Sequence, residues 1–398
     1  MTPGGPYDGS SLERLAADRL AALEERTLRR RISETGRGAA ARAERDGRRL
    51  VSFCCNDYLG LSQHPTVKQA AIAATERFGA GAGASRLVTG SHPLYAALEE
   101  TLARIKGTGA ACVFGSGYLA NLGIPQALVG EGDLVLADEL VHASMHAGMR
   151  ASRAESALFA HNDMDDCRKK LRDMRGRFRY CLILVEGVYS MDGDRAPLAA
   201  LADLAEEYDA WLMSDDAHGL GVLGGGRGSA AEAGVVGRVP LQMGTLSKAV
   251  GAYGGYLCAA RPVAELIANR ARSLIYTTGL PPGTVAAAVA ALGIIETDKA
   301  LVARPLALAR RFTAALNLPA AESPIVPLIV GEPDRALAAS KALEADGFLV
   351  IAMRPPTVPE GTARLRFTFS ADHSDSDLDA LVAAVRRLGL AREARAGA

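Results

Sequence analysis

The sequence predicts an α/β fold: a large domain on a mainly parallel central sheet, followed by a smaller α+β domain. Three observations carry this. From Leu50 onward, short unbroken apolar runs alternate with helical stretches. After about residue 290 the pattern changes to helices interleaved with strands of alternating polarity. The chain has 398 residues and is 49% hydrophobic, enough apolar surface for more than one core. Apolar runs without alternation belong to strands buried on both faces, the setting of parallel sheets covered by helices.

Ser10-Ser11-Leu12-Glu13 reads as a capping box, and Leu12, Leu15, Ala16, Leu20 and Leu23 follow at helical spacing. This predicts a helical N-terminal arm, residues 1–48, that runs into the basic cluster Arg29-Arg30-Arg31. Residues 49–293 form the large domain, with strands at 110–114, 133–137, 181–185, 211–214 and 240–243. Residues 294–398 form the small domain, with helices at 299–316, 333–346 and 374–388 and strands at 325–330, 348–353 and 364–369. In the last strand Leu365, Phe367 and Phe369 share one face and Arg364, Arg366 and Thr368 the other. One face should pack on helices while the other turns its arginines toward a cleft or solvent. The final helix opens at Ser374-Asp-Ser-Asp377 and stops before Gly389.

Composition narrows the function. Lys+Arg and Asp+Glu are equal at 45 each, so the basic field of a nucleic-acid binder is missing. The six cysteines show no CxxC spacing and sit mostly in apolar runs, as buried free thiols of a reducing cytosol do. The opening residues Met1 to Asp8 lack a charged segment followed by an apolar one, so no secretory leader is expected. The longest uncharged apolar stretch, 283–295, falls short of the ~20 residues a spanning helix needs. A soluble cytoplasmic protein is the expectation.

In α/β sheets, function gathers at the carboxyl ends of strands. Four strand ends here are rich in Gly, hydroxyl, His and acidic residues. At Phe114-Gly-Ser-Gly-Tyr-Leu-Ala-Asn121 a strand turns through glycines into a helix whose first amides would face an anion, usually a phosphate. A plain tight turn is the structural alternative. At Asp138-Glu-Leu-Val-His142-Ala-Ser-Met-His146 two histidines stand at i, i+4, but the Glu of HExxH is missing, so a cofactor-facing histidine is favoured over a metal. At Trp211-Leu-Met-Ser-Asp215-Asp216-Ala-His218 a strand delivers a carboxylate at its tip, or simply caps the next turn.

The fourth is Thr245-Leu-Ser247-Lys248, and the lysine count bears on it. Only seven of the 45 basic residues are lysine. Lys68 and Lys106 read as part of polar helices, Lys169 and Lys170 as an exposed pair, and Lys299 and Lys341 as charged helical context. Lys248 alone lies among small, apolar and hydroxyl residues, which disfavour the ammonium and suit a Schiff-base nucleophile. One decoy is discarded: Gly219-Leu-Gly221-Val-Leu-Gly224 fits GxGxxG, yet no helix start follows and no acid lies between 233 and 260. A phosphate-binding helix start, a stacking His, a strand-end Asp and an isolated Lys are together the parts that pyridoxal 5'-phosphate (PLP) requires.

The chain resembles the α-oxoamine synthases, fold-type I PLP-dependent transferases, and most of all their biotin-synthesis branch. The resemblance spans about residues 12–388. It rests on Asn56-Asp-Tyr-Leu-Gly-Leu-Ser62, Gly83-Ala-Ser85-Arg86-Leu-Val-Thr-Gly90, Gly115 to Asn121, Glu186-Gly-Val-Tyr-Ser190-Met-Asp-Gly-Asp194, Asp215-Asp-Ala-His-Gly219, Gly244-Thr-Leu-Ser-Lys248 and Arg354-Pro-Pro-Thr-Val-Pro. It implies that Lys248 holds PLP as a Schiff base, Asp215 pairs with the pyridine nitrogen, His142 stacks on the ring and His218 bonds its phenolic oxygen. Ser116, Gly117, Tyr118, Ser190 and Thr245 are implied around the cofactor, and Thr277 and Thr278 at the phosphate of a neighbouring subunit, hence a homodimer with shared active sites. Arg366 is implied to grip the amino-acid carboxylate, with Arg29, Asn56 and Arg354 on the acyl side.

The implied reaction condenses L-alanine with pimeloyl-CoA or a pimeloyl carrier protein, with Lys248, His142 and His218 as catalytic groups and no metal. Two positions depart from or qualify the pattern. Ser247 stands where several biotin-branch sequences have Gly, and Ser85 where glycine-using 5-aminolevulinate synthases tend to have Thr. Serine palmitoyltransferase-like, 5-aminolevulinate synthase and 2-amino-3-ketobutyrate CoA ligase activities remain open within the family. Outside it stand a PLP-type fold without catalysis and a metal hydrolase built on His142 and His146.

Overall fold

A computed structural model describes residues 10–391. The segment read for a leader, Met1 to Asp8, lies outside the described residues. The large domain is organised by a seven-stranded sheet in the order Ala110–Phe114, Gly255–Ala259, Leu241–Thr245, Trp211–Asp215, Cys181–Glu186, Leu134–Asp138, Glu155–Phe159. The pairs from Leu241–Thr245 to Glu155–Phe159 are parallel, and Gly255–Ala259 is antiparallel to both neighbours. The five predicted strands are all present, with shifts of one or two residues at their ends. The two that pattern missed have reasons. Glu155–Phe159 is an edge strand with mostly exposed residues, and Gly255–Ala259 begins inside a glycine-rich turn.

Burial follows the sequence closely. Every residue of Leu134–Asp138 and Cys181–Glu186 is buried, as unbroken Leu/Val/Ile runs between two helical layers should be. Two glycines set close approaches that matter for the site. A Cβ at Gly148 would lie 2.1 Å from the Asn121 carbonyl oxygen, so only glycine lets the helices Gly117–Leu128 and Ala143–Ser152 touch backbone to backbone. A Cβ at Gly255 would lie 2.3 Å from the Ser116 carbonyl oxygen, which seats the turn after Ala110–Phe114 on the antiparallel strand.

The C-terminal part carries a three-stranded antiparallel sheet, Ile325–Gly331, Ala363–Thr368, Ile351–Met353, packed on the helices Lys299–Leu316, Pro333–Ala345 and Asp375–Arg387. The predicted strand 348–353 is two strands in two sheets: Phe348–Leu349 leaves to pair with Arg48–Ser52. That pairing corrects the reading of residues 1–48 as a helical arm. The helix Ser11–Glu25 is present with its Ser10/Glu13 capping box, but Gly36–Arg37, Arg42–Arg45 and Arg48–Ser52 are strands, and Phe53 enters the C-terminal core. These strands are dominated by arginine and glutamate, so no apolar alternation announces them. Arg42–Arg45 pairs with both Gly36–Arg37 and Arg48–Ser52, and Arg48–Ser52 alone of the three pairs with distant chain. Among the described residues no helix is long and apolar enough to cross a membrane.

Candidate active site

Strand register builds the site. Glu186 pairs with Asp215 and Asp215 with Met243 on adjacent parallel strands, so their side chains project from the same face at one level. Thr245 ends the next strand, and Lys248 follows within one turn. On the other side the chain leaves Phe114, turns at an extended Ser116 and enters the helix Gly117–Leu128. Ser116 Oγ accepts from the Leu119 amide at 3.2 Å. The Gly117 and Tyr118 amides, ahead of it, have no acceptor in their own turn. Between these elements lies an open cavity of about 180 Å³ walled by Gly117, Tyr118, His142, Asp215, Thr245 and Lys248, among others.

Two strings of hydrogen bonds run from the cavity into the protein. The first begins at Asp215, whose Oδ1 takes the Ala217 amide at 2.9 Å and whose Oδ2 takes Asn121 Nδ2 at 2.7 Å. Asn121 Nδ2 also donates to Ser144 Oγ at 3.0 Å. Ser144 then has its own proton free for His142 Nδ1, 2.7 Å away, and its backbone amide points at the same nitrogen at 3.2 Å. With two donors aimed at Nδ1, His142 is the neutral tautomer with its proton on Nε2. Burial first, and Lys248 as a like charge, pull its pKa below the usual value against the upward pull of Asp215.

The second string starts at Lys248 Nζ, 2.7 Å from His218 Nε2. His218 Nδ1 is 2.6 Å from the Tyr58 hydroxyl, which lies 3.3 Å from Asn56 Oδ1. Arg366 Nη1 donates to the same Asn56 oxygen at 3.1 Å, and Arg366 Nε donates to the Ser190 carbonyl at 2.6 Å. Burial pushes the Lys248 amine down to about 8. Asp215 and Glu186 hold it up, and Arg366 adds to the fall. His218 is driven well below 6.5, chiefly by burial and then by Lys248 and Arg366. Glu186 goes the other way. Burial and the nearby Asp215 raise its carboxyl to about 8, and its Oε1 has no partner although Oε2 accepts the Ser190 amide.

The structure thus brings Gly117, Tyr118, His142, Asp215, His218, Thr245 and Lys248 together around one cavity. Ser116 caps the helix from behind, and Ser190 contributes backbone: its amide to Glu186 and its carbonyl to Arg366. Asn56 and Arg366 stand at the far end of the Lys248 string. Thr277 and Thr278 lie off this cavity, beside Gly115 and Tyr95 in a separate small one. Arg354 bonds the Thr27 carbonyl and lies beside Arg30, while Arg29 makes an exposed ion pair with Glu24 at 3.3 Å. None of these three arginines walls the Lys248 cavity.

Lys106 is not a solvated helix lysine: it is 1% exposed, with Nζ 2.5 Å from Asp216 Oδ2 and 2.9 Å from the Arg227 carbonyl. Asn121, Ser144, Glu186 and Tyr58 carry site contacts that sequence reasoning left without a role. For Asn121 a signal existed, since it sits one helical turn after Gly117 and therefore faces the same way.

Comparison with known proteins bears on the same residues. The family model for aminotransferase class I and II matches residues 48–385. A curated 8-amino-7-oxononanoate synthase from Methylorubrum extorquens (strain PA1) is 59% identical over 383 residues, 96% of this chain and 97% of that protein. The chain belongs to the 8-amino-7-oxononanoate synthases of the aminotransferase class I and II family. The fold agrees: a PLP-bound serine palmitoyltransferase from S. paucimobilis superposes with a TM-score of 0.88 at 30% identity, covering 96% of this chain and 100% of that one. An 8-amino-7-oxononanoate synthase from Francisella tularensis gives a TM-score of 0.71 at 26% identity, over 85% of this chain and 98% of that one.

Members of this synthase family are PLP-dependent acyltransferases, and the donor set here fits that cofactor. A buried carboxylate held by two donors suits a cationic ring nitrogen, and helix-start amides suit a phosphate. An amine whose burial keeps much of it neutral near pH 8 suits a Schiff base, and the unpartnered Glu186 Oε1 marks a polar wall built for company.

Proposed function

We propose that this chain joins L-alanine to a pimeloyl thioester, carried by coenzyme A or by a carrier protein. CO2 and the free thiol leave, and 8-amino-7-oxononanoate forms for biotin synthesis. The reading is carried by the 59% identity to the curated enzyme of that name, over nearly the full length of both chains. PLP, when bound, supplies a cationic conjugated ring that takes up the electron pair of a breaking Cα bond.

The chain's own residues divide the remaining work. Lys248 Nζ holds the cofactor and, once released as a neutral amine, takes the Cα proton as general base; its lowered pKa keeps a large share of it neutral near pH 8. Asp215, fixed by Asn121 and the Ala217 amide, opposes the ring nitrogen. The helix start at Gly117 and Tyr118, with Thr245 beside it, takes the phosphate. Arg366, anchored by the Ser190 carbonyl and Asn56, takes the amino-acid carboxylate in a bidentate grip. His142, neutral with Nε2–H outward, and His218 are the donors that polarise the thioester carbonyl and balance charge on the ring oxygen. Arg354 and Arg29 serve the acyl side, on the segment that Arg354 ties to Thr27.

The working form in this proposal is a cytoplasmic homodimer. Support comes from Thr277 and Thr278, which stand away from their own Lys248 cavity, and from the exposed Val88 and Tyr276, each 72% accessible. Six free thiols, four of them buried, suit a reducing compartment. A second reading, condensation of serine with a long acyl thioester, is favoured by the TM-score of 0.88 to the serine palmitoyltransferase. Thiol release measured across alanine, serine and glycine, each with acyl thioesters of several lengths, separates the two. Alanine with the pimeloyl thioester should give the highest kcat/KM. Preference for serine with a long chain, or for glycine, would overturn the proposal.

A further inference from the structure

We propose that Tyr58 is a positioning residue of this reaction: its hydroxyl fixes the proton of His218 on Nε2, facing Lys248, and Arg366 holds Tyr58 to that task through Asn56. The proposal rests on the reading above in which Lys248 and Arg366 serve one active site.

Donors and acceptors along the string decide where each proton sits. Asn56 Oδ1 can only accept, and it receives Arg366 Nη1 at 3.1 Å. Tyr58 is fully buried and has one proton with two candidate acceptors, Asn56 Oδ1 at 3.3 Å and His218 Nδ1 at 2.6 Å. The longer contact is weak and its acceptor is already served, so the proton goes to His218 Nδ1. His218 is 3% exposed, uncharged, and surrounded by Lys248, Arg366 and His142. With Nδ1 accepting, its single ring proton must sit on Nε2, 2.7 Å from Lys248 Nζ. His218 therefore offers Lys248 a donor, and a donor next to a lysine favours its neutral amine over its ammonium. The same Nε2–H is the group the cofactor's phenolic oxygen would meet. Without the hydroxyl, nothing on the Nδ1 side chooses the tautomer, and a bare Nε2 would instead draw a proton from Lys248. Loss of the group that sets a catalytic imidazole's tautomer is costly even when geometry survives.

The test is Tyr58→Phe, read by 15N NMR of histidine-labelled enzyme with His218 assigned through His218→Gln. Wild-type enzyme, free of cofactor and loaded with PLP, should show His218 protonated on Nε2; Tyr58→Phe should show a mixture or Nδ1–H. In turnover kcat should fall at least about 10- to 100-fold, the loss met when a hydrogen-bond partner that orients a metal-site imidazole is removed, with KM for alanine changed less than kcat. An unchanged tautomer in Tyr58→Phe would overturn the proposal. So would Nδ1–H in the wild type, a result that stands even if the variant fails to fold. Failure of the wild type to use alanine, with the tautomer as described, would instead strike the functional reading and leave the Tyr58 assignment standing.

Discussion

Asp215 and Asp216 leave the same strand end in opposite directions, Asp216 toward the buried Lys106 and Asp215 toward the half-buried Lys248. Behind the sheet, Asp216 Oδ2 is 2.5 Å from Lys106, and Asp216 Oδ1 takes the Ser229 amide at 3.0 Å and the Ser229 hydroxyl at 2.6 Å. Lys106 gives a further bond to the Arg227 carbonyl. In front, the Lys248 amine bonds a neutral imidazole, Asp215 is held by amide donors, and Glu186 keeps one oxygen without a partner among the described residues. The rear pair spends its charges on each other and can only hold structure. The front group keeps opposite charges near but not in contact, which leaves a perturbed amine ready for chemistry.

Exchanging the fates of the two lysines gives the largest expected effects. Lys248→Ala should lower kcat by about 10⁴-fold, the upper range for a lost general base, while the thermal midpoint of the cofactor-free protein stays level or rises. Lys106→Met should do the reverse. It strands a buried Asp216 carboxylate, costing about 3–5 kcal/mol of unfolding free energy, while turnover per folded molecule changes little. Urea titrations beside initial rates for both variants check this. Equal destabilisation by the two would remove the distinction.

A further effect tests the front side through pH. Burial, then Asp215, raises the Glu186 carboxyl from 4.5 to about 8, so the folded state keeps a proton that the unfolded chain gives up at lower pH. Its stabilising contribution is therefore complete below about pH 4.5 and is lost as pH rises through about 8. Glu186→Gln cannot ionise. Cofactor-free enzyme carrying it should lie within about 1 kcal/mol of the wild type near about pH 5 and exceed it by on the order of 4 kcal/mol near about pH 8.5. A constant offset at all pH values would mean that Glu186 does not titrate in the fold.

The contrast also explains what could be read from the sequence. Lys248 is legible because its neighbours in the chain are its neighbours in space: Thr245 lines the same cavity, Ser247 bonds Thr245 Oγ1 and Leu246 is buried. Lys106 is not, because its partner Asp216 is 110 residues away and its own helix looks solvated. Arg366 was legible in part. Strand alternation sets it opposite Leu365 and Phe367, but only tertiary structure turns that face to Ser190 and Asn56 rather than to water. The strands between 36 and 52 were invisible for the same reason as Lys106. Arg48–Ser52 pairs with the distant Phe348–Leu349, the other two strands build on it locally, and none has an apolar period of its own.

The finest test falls on the rear cluster. Ser229→Ala removes the 2.6 Å hydroxyl donor to Asp216 Oδ1 but leaves the Ser229 amide and Lys106 in place. One neutral donor lost from a carboxylate that keeps its charge partner should cost about 1.5–3 kcal/mol, seen as a drop in the urea midpoint. Turnover should stay within about twofold, because a loss of that size at Asp216 leaves both donors to Asp215 untouched. A tenfold fall in kcat with intact stability would mean that Asp216 steers Asp215 through their shared backbone, and the rear pair would then belong to the machinery it has been set against.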